Sequence, residues 1–460
     1  MKRMKLIIAA ILLGLNVSAQ DISLLAKTPP MGWNSWDCFG MDVTENQIKA
    51  TADYMAENLK QYGWEYIVLD MGWNYGEGLN TNNFKDTQTP SQCIDDYGRL
   101  IPNPKKFPSS IDGKGLKVLA DYVHSKGLKF GIHIMRGIPW QAVENNTPIK
   151  GSKYRAKDIF TEKNACRWFH GLKTIDMAKP GAQDYYNSII NMYAEWGVDY
   201  IKADDMLKNP YHNEEIEGVS KAIKNTGRTI VLSLSAGSLS VDNIKHLRQN
   251  ANLWRISGDM WDVWKYIEEA FKLCRQWQDY VIPGHWPDCD MLPLGKLRIN
   301  GTDGALAKNI KLSKEKTLNE YSRFTDDEKY THFTLWSIFR SPLMMGGDLL
   351  QLDEITTQIL TNNEVLAVNQ NSTNNHEIRA TENEIVWAAD DSASGGKFVA
   401  FFNLNDTDNL TIKVNWKELG ISGKHKVRDL WKKEDVGKFS DTFNVEIKPH
   451  GCGLYKVNKN

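Results

Sequence analysis

The chain has 460 residues, 41% of them hydrophobic and 25% charged, and a formal net charge of −1. That length is more than one ordinary core requires and suits a large domain followed by a smaller one. The near-zero charge removes the electrostatic ground for a nucleic-acid partner or for adhesion to an anionic membrane.

The chain opens Met1-Lys-Arg-Met-Lys5, continues with an apolar run over 6–15 and closes that stretch on Val17-Ser-Ala19. A basic start, a short apolar run and a small-residue site read as a signal peptide over 1–19, so a secreted or periplasmic protein is expected. The run is too short to span a bilayer, and no later one is long enough.

Short β-rich runs then alternate with longer amphipathic ones. The pattern predicts strands at 31–33, 66–69, 129–134, 198–203, 229–234, 253–256, 280–282 and 343–345. Helices are predicted at 44–62, 115–126, 183–196, 214–224, 261–280 and 326–339. Eight strands interleaved with helices indicate an α/β fold, a (β/α)8 TIM barrel, over 20–370. From 371 to 460 the texture changes to short alternating runs at 384–388, 397–403, 409–414, 424–429, 442–447 and 453–457. These predict a C-terminal antiparallel β-sandwich. Two long stretches without regular pattern, 74–108 and 136–179, each follow a strand and are expected to lie over the C-terminal rim of the barrel. The six cysteines lack metal-binding spacing; export permits disulfides, but a chain this large needs none.

The strand ends carry the chemistry. Val198-Asp-Tyr-Ile-Lys-Ala-Asp-Asp205 is an apolar run that stops on Lys202, Asp204 and Asp205, and buried ions need partners. Trp36 and Asp37 follow the first strand, Asp70 the second, and His133 and Arg136 belong to the third. Ser235 follows the fifth, Arg255 and Asp259 the sixth, Asp288 and Asp290 the seventh. A single aspartate at a strand end is more often a helix cap, and a single tryptophan is more often core, but a barrel gathers all of these on one rim. Acids interleaved with Arg and Lys and ringed by Trp suit exo-acting glycoside hydrolysis, where two carboxylates break the bond and others hold hydroxyls. With 16 tryptophans and 17 tyrosines, rings able to stack on a sugar are plentiful. This chemistry calls for no cofactor and no metal, and His133 has no second histidine at ligand spacing.

Six motifs, in order, resemble glycoside hydrolase family 27, the α-galactosidases. They are Thr28-Pro-Pro-Met-Gly-Trp-Asn-Ser-Trp36, Gly127-Leu-Lys-Phe-Gly-Ile132, Val198-Asp-Tyr-Ile-Lys-Ala-Asp204, Trp254-Arg255 with Asp259, Trp286-Pro-Asp-Cys-Asp-Met-Leu292 and Leu335-Trp-Ser-Ile-Phe-Arg-Ser-Pro-Leu343. The resemblance covers nearly the whole mature chain and implies a retaining mechanism. Asp204 resembles the nucleophile, with Lys202 keeping it ionised. Asp259 resembles the general acid/base, protonated at rest, with its carboxyl about 5–5.5 Å from that of Asp204. Arg255, Lys202 and Asp290 resemble sugar-hydroxyl ligands, and Trp36 the aromatic wall.

Three departures from the family bear on the substrate. The family carries two adjacent acids, ligands of galactose O4 and O6, where this chain reads Asp70-Met71. Met71 removes a partner for O6 and favours a sugar that lacks C6, such as β-L-arabinopyranose, unless it repacks and another residue takes O6. His133 replaces a tyrosine. Ser235-Ala236-Gly237 replaces a Glu-Trp pair; a serine there resembles the α-N-acetylgalactosaminidase branch, whose pattern the next residues do not complete. The expected partner is a plant-type oligo- or polysaccharide, and the expected activity hydrolysis of terminal α-D-galactosides or β-L-arabinopyranosides. Alternatives are a strict β-L-arabinopyranosidase and a non-catalytic sugar-binding protein, which intact Asp204 and Asp259 disfavour.

Overall fold

A strand with helices over its outer face and side chains filling the barrel inside must be apolar almost throughout, and eight such runs form one parallel sheet. They are β1 (Met31–Asn34), β2 (Tyr66–Leu69), β3 (Lys129–Met135), β4 (Tyr200–Asp204), β5 (Val231–Leu234), β6 (Leu253–Arg255), β7 (Trp286–Asp288) and β8 (Leu343–Met345). The computed structural model describes residues 25–76, 90–207, 210–235, 237, 239–299 and 320–459; the expected leader lies outside them. The strand order is β7-β6-β5-β4-β3-β2-β1-β8. The two edges meet just past β7, where Leu292 bridges Met345 in parallel and its N–H donates to the Met344 carbonyl at 2.7 Å. The sheet therefore curls into the expected barrel.

The helices follow from amphipathic spacing and capping. α1 (Glu45–Tyr54) starts on a Thr44/Gln47 capping box and runs on through a π turn, Met55–Leu59, and a 3-10 turn, Lys60–Tyr62. Then come α2 (Lys117–Ser125), α3 (Ala182–Trp196), α4 (Asn213–Thr226), α5 (Ile244–Asn250), α6 (Trp264–Trp277) and α7 (Asp326–Phe339). α3 ends at Gly197, whose φ of +89° suits a residue without Cβ. The chain turns there into β4.

Two expectations need correction. The seventh strand is not at 280–282: Tyr280 ends a 3-10 turn, and Ile282 and His285 close a tight turn over Gly284. The strand is Trp286–Asp288, which contains Pro287, a residue that normally argues against a central strand. It is tolerated because residues 286–288 pair only with β6, leaving the other side free of the ladder. The segment 136–179 is not patternless either. Ile138–Pro139, Phe160–Thr161 and Leu172–Ile175 form a small antiparallel sheet, with helical turns at Trp140–Glu144 and Ala156–Ile159.

After the barrel come β9 (Ser372–Ala380), β10 (Glu384–Asp391), β11 (Lys397–Asn403), β12 (Leu410–Asn415), β13 (His425–Asp429), β14 (Glu434–Phe439), β15 (Thr442–Ile447) and β16 (Cys452–Lys459). Six of them form an antiparallel sheet in the order β9-β10-β11-β16-β13-β14, and β12 pairs with β15. The alternation of β10 is two-sided. Val386 and Ala388 join Ile412, Val414 and Phe443 in the sandwich interior, while Ile385, Trp387 and Ala389 join the core shared with the barrel. Cys38, Cys166, Cys274, Cys289 and Cys452 are thiols; the Sγ atoms of Cys274 and Cys289 lie 3.5 Å apart.

Candidate active site

Inside the barrel, Tyr66, Val68, Tyr200, Val231, Leu253, Trp286 and Met344 pack into a cluster of their own. Some of these, with residues at or just past the C-terminal tips of the strands, line an open cavity of about 330 Å3, including Asn34, Lys202, Ser235, Arg255, Asp288 and Asp290. In the β-sheet register His133 stands opposite Lys202, and Lys202 opposite Ser233, so neighbouring strands deliver polar groups at one level.

Lys202 does not pair directly with Asp204. Its Nζ donates to Asp70 Oδ2 at 2.8 Å, and Asn34 Nδ2 donates to the same oxygen at 2.6 Å. The other Asp70 oxygen accepts the N–H of Met71 at 2.8 Å. Burial works against the Asp70 charge, but Lys202, His133 and these hydrogen bonds win and hold the carboxyl far below its usual range. The Lys202 ammonium in turn is held protonated: desolvation opposes it, and Asp70, Asp290 and Asp204 outweigh the cost.

Asp204 finds its partner across the sheet. His133 Nε2 lies 3.2 Å from Asp204 Oδ2, and the backbone N–H of Asp205 donates to Oδ1 at 2.7 Å. Burial raises the Asp204 pKa, yet the His133 hydrogen bond and the charges of His133 and Lys202 bring it below the ordinary value. Asp205 turns away with a φ of +60°, and its carboxylate pairs with Arg136 at 2.8 Å. Arg136 also donates to Thr174 Oγ1 at 3.0 Å and Glu215 at 3.1 Å. This buried network ties the 136–179 segment to the tip that bears Asp204.

The third group sits on β6 and β7. Arg255 Nη1 lies 2.7 Å from Asp290 Oδ1, and Nη2 lies 3.1 Å from Asp259 Oδ1. Asp290 also accepts the N–H of Met260 at 2.7 Å and has a φ of +82°, a strained backbone for a residue with Cβ. Burial pushes its carboxyl up to about 6 against the pull of Arg255, with Asp259 adding to the rise. Asp259 differs from the other acids: its side chain is 65% exposed while that of Arg255 is 3% exposed. One carboxylate thus lies largely buried beside His133, and another is mostly exposed.

Trp36 is half-buried against Trp261 and the interior cluster. Ser235 Oγ is buried without a hydrogen-bond partner, and Met71 is 6% exposed. Both oxygens of Asp37 are buried and unpartnered, and burial, then Asp290, push its pKa well up. Asn34 escaped sequence reasoning, although a polar residue ending a buried apolar strand was a usable signal. Glu215 gave none, being one acid among several at the start of an amphipathic helix. No cluster of three or more His, Cys, Asp or Glu able to hold a metal occurs among the described residues, and no described helix is long and apolar enough to cross a membrane.

The family model described as "Alpha galactosidase A" matches residues 28–142, 168–308 and 318–371, and that described as "Alpha galactosidase C-terminal beta sandwich domain" matches 381–457. The chain belongs to glycoside hydrolase family 27. Among curated relatives, the α-galactosidase of Coffea arabica is 30% identical, with 94% of each chain covered. That of Cyamopsis tetragonoloba is 29% identical over 94% of this chain and 86% of its own length. Among solved structures, a family-27 β-L-arabinopyranosidase from Geobacillus stearothermophilus superposes with a TM-score of 0.89 at 44% identity, covering 95% of this chain and 98% of that one. A variant of that enzyme in complex with arabinose gives the same TM-score at 43% identity, covering 96% and 100%. As a member of family 27, the chain is a glycoside hydrolase, and its substrate is carbohydrate.

Proposed function

We propose that this protein is an exported, retaining exo-glycosidase that prefers terminal β-L-arabinopyranosides and accepts the stereochemically equivalent α-D-galactosides. The observation that carries the preference is Met71. It follows Asp70 at the tip of β2, so the carboxylate held by Lys202 and Asn34 has an apolar neighbour where the family has a second acid. A sugar carrying a hydroxymethyl group at C5 loses a partner there, and one without C6 loses nothing. The 44% identity to a β-L-arabinopyranosidase, against 30% or less to the α-galactosidases above, supports the same reading. The basic and apolar start of the chain supports export.

In the proposed chemistry the Asp204 carboxylate attacks the anomeric carbon while the bond to the leaving oxygen breaks, and Asp259 gives its proton to that oxygen. Water then attacks the anomeric carbon of the glycosyl ester, Asp259 takes the water's proton, and Asp204 departs as carboxylate. The surroundings suit these roles: a largely buried carboxylate fixed by His133, and an exposed acid free to meet the leaving group and water. Lys202, Arg255, Asp70 and Asp290 hold sugar hydroxyls, Trp36 forms the wall, and His133 and Ser235 border the ring.

The test is paired hydrolysis of nitrophenyl β-L-arabinopyranoside and nitrophenyl α-D-galactopyranoside, with proton NMR of the first product. Higher kcat/KM on the arabinopyranoside, with retained configuration, is expected. Turnover of neither glycoside defeats the reading, and initial release of the opposite anomer defeats the double displacement.

A further inference from the structure

Beside Met71 lies a second, small cavity, lined by Met71, Tyr75, Gln92, His133, Phe169 and Leu172 among others. Its wall includes His133, the partner of Asp204, which stands in register opposite Lys202 of the axial site. Its mostly apolar wall carries buried polar groups. Tyr75 is 1% and Gln92 5% exposed, and the Tyr75 hydroxyl and both atoms of the Gln92 amide have no hydrogen-bond partner. Buried donors and acceptors of this kind are costly to leave unpaired.

The two residues are fixed in place rather than adrift. Tyr75 and Gln92 form an antiparallel bridge, the Tyr75 ring stacks on Phe169 at 6.2 Å and 11°, and Gln141 Nε2 donates to the Gln92 carbonyl at 3.1 Å. The hydroxyl is close enough to Asp70 to feel its charge: burial first, then that carboxylate, push the Tyr75 pKa well up. Met71, an unbranched side chain with three rotatable bonds, lines the same cavity, and its N–H donates to Asp70, the partner of Lys202.

We propose that the cavity beside Met71 is a subsite for the exocyclic hydroxymethyl group of a hexose, with the Tyr75 hydroxyl and Gln92 amide as the partners of O6 and Met71 as the movable side chain that opens it. The inference rests on the reading that a galacto-configured sugar binds with its C5 edge against Met71. It explains how a pocket that lost one family carboxylate still admits galactose. With Met71 forward, the wall fits a pentopyranose; with Met71 withdrawn, the hydroxymethyl group reaches two unpaired polar groups.

Three nitrophenyl glycosides separate the contributions: β-L-arabinopyranoside, without C6; α-D-fucopyranoside, with a methyl at C6; and α-D-galactopyranoside, with the hydroxyl. Tyr75→Phe and Gln92→Met are each expected to lower the galactoside-to-arabinopyranoside ratio of kcat/KM roughly threefold to tenfold, the range of one neutral hydrogen bond. The fucoside-to-arabinopyranoside ratio should stay within about twofold, because a methyl forms no such bond. Met71→Ala should raise both ratios. Unchanged galactoside ratios in both polar variants overturn the subsite, as does an equal fall for fucoside and galactoside. If the unmodified enzyme cleaves only the arabinopyranoside, the Met71→Ala background decides: gain of galactoside cleavage that Tyr75→Phe removes supports the subsite, and no gain overturns it. Turnover of none of the three defeats the function proposed above and the subsite with it.

Discussion

Lys202 Nζ stands 2.8 Å from Asp70 Oδ2, while Asp204, two residues on from Lys202, is held by His133 on the neighbouring strand. One ammonium therefore serves one carboxylate by contact and the other through space. Lys202→Met is expected to cost at least about 10²-fold in kcat/KM, since it leaves the buried Asp70 carboxylate without its ion pair. Steady-state kinetics on the arabinopyranoside check this, and a loss under threefold would deny Lys202 a role in the site.

The two proposed catalytic acids should fail differently. Asp204→Asn is expected to lose at least about 10³-fold on every glycoside. Asp259→Asn should lose less on a nitrophenyl glycoside than on an alkyl one, because a good leaving group needs little protonation. Equal losses on both leaving groups would remove Asp259 from the role of general acid.

The acidic limb of the kcat/KM profile follows from the Asp204 environment. Burial raises the pKa of that carboxyl, but the His133 hydrogen bond and the charges of His133 and Lys202 outweigh it and hold the group lowered. The limb should thus fall below about 3.9, the ordinary aspartate value. His133→Phe should move it to higher pH. A limb unmoved by that change would assign it to another group.

Stability should decline on acidification in two stages. Burial pushes the His332 pKa down to about 3, whereas an unfolded histidine titrates near about 6.5. The unfolded chain takes up that proton first, so the contribution is complete above about pH 6.5 and fades toward pH 3, at up to about 1.4 kcal/mol per pH unit. Asp262 is desolvated, yet its hydrogen bonds from Arg323 and Arg298 bring it down to about 2. Its contribution is present above about pH 3.9 and is lost as pH falls through 2. Thermal melts of His332→Phe should show a flatter decline between pH 6.5 and 4 than the unmodified protein; parallel declines would contradict the neutral buried ring.

Most barrel strands were legible because their apolar runs are continuous, as at 66–69 and 343–345. β7 was not, since Val281-Ile282 looks like a strand and Trp286-Pro287-Asp288 does not. β9 and β14 escaped for another reason: both are edge strands made largely of polar residues, so neither alternation nor β-propensity marks them. At the site, the acids and cations at the strand tips could be read from the chain, but their pairing could not. Register decides it: His133 stands opposite Lys202, so its ring reaches Asp204 next along that face. The unpaired Tyr75 and Gln92 were equally silent, because only the fold brings 75 and 92 together.

The two-sided alternation of β10 has a consequence for how the molecule comes apart. Ile385, Trp387 and Ala389 belong to the same apolar cluster as Phe333, Trp336 and Phe339 of α7. Thr331 Oγ1 on that helix donates to the His450 carbonyl, and Trp431 Nε1 donates to Thr334 Oγ1 at 2.9 Å. Because barrel and sandwich share one apolar cluster, the two are expected to melt together. Calorimetry of the whole chain should record one cooperative transition, and a chain cut at 371 would expose a flank of α7 that water does not touch in the intact protein.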